Sequence, residues 1–148
     1  MSDGLDIFLD SLQEEIFDEA REVFGEAGFD RWRNPRFNGR MTDYDTFARL
    51  KGECGDTMEI YLKFNDNCVQ SASYYTDGCA SSAICGSFTS ELAIGKNYEE
   101  LTDIDEKAVM QKVGRLPEED QHCAFLSAST LQEALRLHLI DEVKLKRP

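Results

Sequence analysis

Three short segments of the chain combine a cysteine with a second possible metal ligand or with a glycine. Cys54 lies in GECGD, two residues before Asp56. Cys79 lies in TDGCASS, and Cys123 follows His122 in DQHCA. Thiolates bind zinc, copper(I) and iron–sulfur centres, and imidazole is compatible with zinc and iron, whereas calcium and magnesium require oxygen ligands. The segments predict either one shared metal site or separate buried thiols, and the spacing alone does not decide because the sequence holds no CxxC pair.

Composition narrows the class of protein. With 148 residues the chain is long enough for one domain with its own core. Its 16 basic and 29 acidic residues give a net charge of −13, which argues against nucleic acid and against an anionic membrane surface. No apolar run is long enough to span a membrane, and the N-terminus does not resemble a secretory signal. We therefore expect a cytoplasmic protein whose five cysteines do not form a disulfide framework.

The hydrophobic periodicity predicts the elements that must position the three segments. TMEIYLKF and CVQSASYYT alternate as strands do, and residues 65–67 between them are turn formers, so a hairpin is expected. From residue 80 the spacing becomes helical as far as Gly95, one or two short helices follow in YEELTDIDEKAVMQKVG, and AFLSASTLQEALRLHLIDEV is the last helix. Its expected buried residues include Leu131, Leu135 and Ile140. Strands followed by helices indicate an α+β fold, a small antiparallel sheet packed against several helices, with the three loops clustered at one end.

Residues 1–29 are predicted to form an acidic amphipathic helix. Apolar residues recur at steps of three and four, and either Gly25 or Gly28 could end the helix. The apolar positions are Leu5, Leu9, Leu12, Ile16, Ala20 and Val23. A docking or dimer helix is one interpretation, but we expect this face to pack onto the chain's own domain.

The three cysteine segments, taken in order, resemble a known family. CGD, TxGCxS and HC are similar to the U-type iron–sulfur cluster assembly scaffolds, IscU and the N-terminal part of NifU. RWRNPRFNG, GDTMEIYLKFND, GKNYEEL and LP…HC extend the similarity from about residue 30 to about residue 140, so a scaffold domain is expected over residues 30–148. Cys79 and Cys123 are 44 residues apart, which is similar to IscU and NifU and lacks the insertion of the zinc-containing SufU branch.

The resemblance implies a site and a function. The ligands would be Cys54, Asp56, Cys79, His122 and Cys123. Such a protein is a carrier and not an enzyme: it accepts sulfur from a cysteine desulfurase, builds a labile [2Fe–2S] cluster and passes it to apo-proteins. Cys123 is the expected persulfide acceptor, and we expect the helices that follow Cys79 and Cys123 to favour their thiolates. Zinc could occupy the apo form, and the protein could be a monomer or a homodimer.

One motif departs from the family pattern. The family continues Leu-Pro with Pro-Val-Lys before the His-Cys pair, whereas here Leu116-Pro117 is followed by Glu118-Glu119-Asp120. Recognition by the family's Hsp70-type chaperone is therefore doubtful. Two other function classes stay open, a zinc-bound sulfur acceptor or regulator of a desulfurase, as in SufU, and an interaction module that has lost cluster transfer.

Three further residues are expected to have structural roles. Cys85 lies on the apolar face of the helix after Cys79 and should be a packed thiol. Cys68 opens a strand and should be buried, and His138 is expected to be a surface or satisfied core histidine.

Overall fold

The structure is a computed structural model that describes residues 3–53 and 55–146. Over these residues it contains three strands and five α-helices. The elements in chain order are α1 (Asp3–Arg33), β1 (Thr46–Lys51), β2 (Thr57–Asn65), β3 (Cys68–Thr76), α2 (Ala80–Ala93), α3 (Tyr98–Leu101), α4 (Glu106–Val113), a 3₁₀ turn (Glu118–Asp120) and α5 (His122–Lys146). The predicted α+β class and the small antiparallel sheet are confirmed.

The predicted hairpin is present as β2 and β3. Asp66 and Asn67, with φ values of 53° and 66°, form its two-residue turn, and two positive φ values are what a type I′ hairpin turn requires. Strand β1 was not predicted; it pairs antiparallel with the other side of β2, giving the order β1-β2-β3.

The strand register brings the two loops that follow β1 and β3 to the same end of the sheet. Lys51 at the end of β1 pairs with Thr57 at the start of β2. Met58 pairs with Thr76 at the end of β3. The loop between β1 and β2 and the junction from β3 to α2 therefore lie side by side. Both carry cysteines of the predicted site.

The core lies between the sheet and helices α2 and α5. Met58, Ile60 and Leu62 are fully buried on the helix-facing side of β2, and burial of each such side chain contributes roughly 1.5–3 kcal/mol. Helix α2 packs closely on β3 because most of its buried residues are small. A Cβ on Gly86 would lie 2.6 Å from Cδ2 of Tyr74, so no side chain fits there. Cys85 is fully buried in this layer, as predicted.

The opposite side of the sheet buries one charged residue, Glu59. Its carboxylate accepts hydrogen bonds from Arg40 (3.1 Å), Arg49 (2.8 Å) and the Tyr61 hydroxyl (2.5 Å). Burial alone would raise the pKa of Glu59, but these hydrogen bonds outweigh it and lower the pKa to about 2. Glu59 therefore stays ionised in a buried position and links β2 to the loop before β1 and to β1 itself.

Helix α1 differs from its prediction. Gly25, with φ 76° and ψ 176°, breaks it into two helical segments, and the second continues to Arg33 instead of ending near residue 29. The break folds the two segments against each other, so that the Phe17 ring lies 5.7 Å from Phe29 and 6.4 Å from Trp32. Buried Arg31 attaches the second segment to α2 through hydrogen bonds to Ser87 and Glu91.

The apolar face of the first segment of α1 does not pack onto the domain, contrary to expectation. Five of its predicted core positions are 41–61% exposed. They are Leu5, Leu9, Leu12, Ile16 and Val23. The periodicity is that of an amphipathic helix, but these apolar side chains stay exposed in the structure. Ile140 in α5 is likewise 37% exposed, although Leu131 and Leu135 are buried as predicted.

Among the helices of residues 3–53 and 55–146, none is both long and apolar enough to cross a membrane.

Candidate metal centre

Asp56 is presented by the tight loop between β1 and β2. The Gly52 N–H donates to the Asp56 carbonyl at 2.7 Å, and the Gly55 N–H donates to the Gly52 carbonyl at 3.0 Å. Gly55 has φ 88°, a left-handed conformation that glycine adopts without strain. Cys54, the predicted ligand in this loop, lies outside the residues that the structure describes.

Cys79 is placed at the junction between β3 and α2. It is the N-cap residue of α2, with an extended backbone, and its side chain is exposed. The Gly78 N–H donates to Oγ1 of Thr76 at 3.0 Å, which holds the turn before it. Gly78 also makes room for Asp56, since a Cβ on Gly78 would lie 2.7 Å from Asp56 Oδ2. The glycine before Cys79 is therefore required because another loop's carboxylate packs against it.

His122 and Cys123 lie in the first turn of α5. His122 Nδ1 is 2.9 Å from the Glu119 carbonyl oxygen. A carbonyl can only accept, so Nδ1 donates to it and Nε2 is the nitrogen that could bind a metal, the arrangement typical of metal-ligating histidines. Nε2 faces the neighbouring Cys123 Sγ at 3.8 Å. Helix α5 begins at His122 and not after Cys123, so both residues lie in its first turn, and Cys123 is fully buried.

Donors from two of the three segments meet at one point. Ligand atoms of Asp56, His122 and Cys123 all lie within 4.8 Å of one another. A tetrahedral zinc with bonds of about 2.0–2.3 Å holds its ligand atoms roughly 3.5 Å apart, so shifts of about 1 Å would bring these three atoms to the spacing of such a shell. A thiol, an imidazole and a carboxylate are donors that zinc and iron accept. This mixed set fits a thiophilic metal centre.

The electrostatics of Cys123 differ from expectation. Burial raises its pKa to about 12, the contact with the Ser82 hydroxyl opposes this, and the nearby Cys79 and Asp120 raise it further. The start of a helix was expected to favour the thiolate, but burial outweighs that effect here. Burial also raises the pKa of Cys85 well above its ordinary value. A metal must therefore displace the Cys123 proton when it binds.

The predicted site residues are thus distributed as follows. Asp56, His122 and Cys123 are brought together, and Cys79 stands at the exposed rim, with its Sγ 4.0 Å from Ser82 Oγ.

The other two residues that were expected to be structural lie in other parts of the fold. Cys68 is half-buried in β3, and buried His138 lies in α5 with its Nε2 3.0 Å from the Tyr98 hydroxyl.

One residue of the centre was missed in the sequence, Ser82. Its spacing of three from Cys79, one turn along a helix, was the signal that could have found it.

The structure is that of a small α+β protein with a donor set suited to a thiophilic metal, and the comparisons with known proteins give its family. Residues 24–142 match the model of the NifU-like N terminal domain, so the chain belongs to that family. The chain is 35% identical over 114 residues to "Iron-sulfur cluster assembly scaffold protein IscU 1" of Archaeoglobus fulgidus, which covers 76% of this chain and 74% of that protein. It is 26% identical over 122 residues to the protein named as IscU scaffold in Aquifex aeolicus, covering 80% of this chain and 78% of that one.

Solved structures share the fold. A nitrogen-fixing NifU-like protein (N-terminal) from Brucella abortus superposes with a TM-score of 0.61 at 18% identity, covering 78% of this chain and 94% of that one. The SufU protein of Fervidobacterium islandicum gives a TM-score of 0.64 at 19% identity, covering 78% and 98% of the two chains.

Proposed function

We propose that this protein is a scaffold for iron–sulfur cluster assembly, a carrier and not an enzyme. Membership of the NifU-like family implies iron–sulfur cluster binding, and its relatives are named as scaffold proteins. The observation that carries the proposal is that Asp56, from the loop between β1 and β2, lies with His122 and Cys123, from the start of α5, so that ligand atoms of all three are within 4.8 Å of one another.

The mixed donor set suits a cluster that must leave. Most clusters that stay in place are held by four cysteine thiolates. A carboxylate or an imidazole in place of a thiolate is a harder ligand for iron and leaves a more exchangeable position. Cys79 at the exposed rim would meet an incoming partner first, while His122 and Cys123 lie deeper in the site.

Sulfur would enter as a persulfide on Cys123. A persulfide is a reversible modification of a reactive thiol, and its formation needs an accessible thiolate. Cys123 is fully buried in the conformation described above, so the proposal includes a local opening of the first turn of α5 when the sulfur donor binds. The 3₁₀ turn at Glu118–Asp120, whose residues are not buried, is the segment that would move.

The finer points of the proposal concern the cargo and the partners. The ligand set of Cys54, Asp56, Cys79, His122 and Cys123 would hold a transient [2Fe–2S] cluster, or Zn²⁺ when no cluster is bound. The partners would be a cysteine desulfurase and apo iron–sulfur proteins. A cytoplasmic location stays a prediction, as does the choice between monomer and homodimer.

The test is anaerobic reconstitution with iron, cysteine and a cysteine desulfurase, followed by visible absorption spectroscopy and metal analysis. We expect a cluster chromophore in the wild type and in Cys85→Ala, and no stable cluster in Cys79→Ala or Cys123→Ala. One tightly bound zinc per chain without a chromophore would support the zinc-bound regulator instead. Equal cluster yields in all three cysteine variants would contradict the site assignment.

A further inference from the structure

Ser82 lies at the centre of the donor set. It is on α2, three residues after Cys79, and is fully buried. Its Oγ is 3.0 Å from Asp56 Oδ2, 3.3 Å from Cys123 Sγ and 4.0 Å from Cys79 Sγ. One hydroxyl thus contacts donors from three separate segments of the chain.

The Ser82 hydroxyl connects two of these groups. It donates its one proton to the Asp56 carboxylate, which can only accept. Cys123 Sγ lies 3.3 Å from the same oxygen, within hydrogen-bonding distance for sulfur. One hydroxyl therefore lies between the carboxylate and the sulfur.

We propose that Ser82 is a positioning residue of this centre, whose hydroxyl holds the Asp56 carboxylate and the Cys123 sulfur toward a common point before the metal arrives. The inference rests on the proposed function, because it assigns a role toward the same metal centre. Partners behind the ligands orient them, and losing one typically costs 10–100-fold in metal affinity.

Ser82 is not simply a helix serine whose hydroxyl bonds to its own backbone. Ser90, on the same helix and equally buried, donates to the Gly86 carbonyl at 2.9 Å, four residues earlier. Ser82 instead contacts side chains of other segments. Gly78 leaves the room that this hydroxyl occupies, because a Cβ built there would lie 2.8 Å from Ser82 Oγ. The hydroxyl can therefore lie in the position that contacts both ligands.

The test uses the metal-free full-length chain, titrated anaerobically with Zn²⁺ in competition with a chromophoric chelator and, separately, with Co²⁺ monitored by visible absorption. The variants are Ser82→Ala and, as the matched control, Ser90→Ala. We expect Ser82→Ala to bind Zn²⁺ about 10–100-fold more weakly and to show a changed Co²⁺ spectrum. Ser90→Ala should match the wild type in both. Thermal unfolding of the metal-free variants separates loss of positioning from loss of folding.

Each outcome separates this inference from the proposed function. Zinc affinities of Ser82→Ala and wild type within about 2-fold would overturn the role of Ser82, even if the wild type assembles a cluster. An equal loss in Ser90→Ala would overturn it too. A wild type that binds zinc, loses affinity in Ser82→Ala and never assembles a cluster would support the inference and contradict the scaffold proposal. A wild type that binds neither zinc nor cluster would contradict both.

Discussion

Replacing Gly78 by alanine should disable the metal centre through a steric effect on Asp56. The added Cβ would lie 2.7 Å from Asp56 Oδ2 and 2.8 Å from both Asp56 Cγ and Ser82 Oγ. Ordinary contacts of a Cβ begin near 3.4 Å, so the carboxylate must retreat by about 0.7 Å. Gly78 is not among the glycines with positive φ, so the crowding, and not the backbone conformation, is what changes.

The expected loss of zinc affinity follows from how little metal sites tolerate changes in ligand distance. Ligand distances in such sites hold to about 0.2 Å, so a displacement of about 0.7 Å removes Asp56 as a ligand or forces the centre to distort. The displaced Ser82 hydroxyl also loses its contacts. We expect zinc affinity to fall about 100-fold or more, and crowding to cost about 1–3 kcal/mol of unfolding free energy.

The assay is zinc competition, with urea denaturation of the metal-free protein alongside it. Gly4→Ala is the control, because nothing lies within 4 Å of a Cβ at that position. The steric argument fails if Gly78→Ala binds zinc as tightly as Gly4→Ala does.

The remaining predictions concern the scaffold of the fold. The pKa of Glu59 falls from 4.5 to about 2 on folding, so the stability that its ionised carboxylate contributes is complete above pH 4.5 and is lost as the pH falls toward 2. Glu59→Gln should lower the free energy of unfolding by roughly 3 kcal/mol at pH 7 and make that free energy less dependent on pH, as measured by urea denaturation. Leu9→Gln, at a side chain 49% exposed, should change the unfolding free energy by less than about 0.5 kcal/mol, whereas Phe29→Ala should cost about 3–5 kcal/mol, and equal losses would contradict the placement of α1. Cys85→Ala should cost about 1 kcal/mol and leave zinc affinity unchanged, so a weakened zinc complex would show that Cys85 takes part in the centre.

The elements that local pattern predicted are those whose signals are local. The alternation in β2, the turn at Asp66–Asn67 and the helical spacing of α2 each lie within one continuous stretch of sequence. Strand β1 was missed because its first two residues reverse the usual pattern, with polar Thr46 buried and apolar Phe47 exposed, and because its hydrogen bonds come from β2. The hydrophobic periodicity of α1 correctly predicted a helix but did not predict that its apolar face is exposed. Periodicity shows which face of a helix is apolar and does not show what that face packs against.

The site residues, too, were predicted only where the signal lies in the sequence itself. The residue types and the family resemblance identified Asp56, His122 and Cys123, which the fold brings together. The burial of Cys123 and the central place of Ser82 depend on how α2 and α5 meet, which a single sequence does not show.

The most direct test of the scaffold proposal is cluster transfer. The chain is reconstituted anaerobically, separated from free iron and sulfide, and mixed with an apo-ferredoxin whose holo form has a distinct circular dichroism spectrum. The proposal predicts that the cluster signal of this chain decays as the holo-ferredoxin signal rises, and that an added chelator does not abolish the transfer. A cluster that stays on this chain, or reaches the ferredoxin only as chelatable iron, would contradict the claim that the mixed donor set exists to release its cargo.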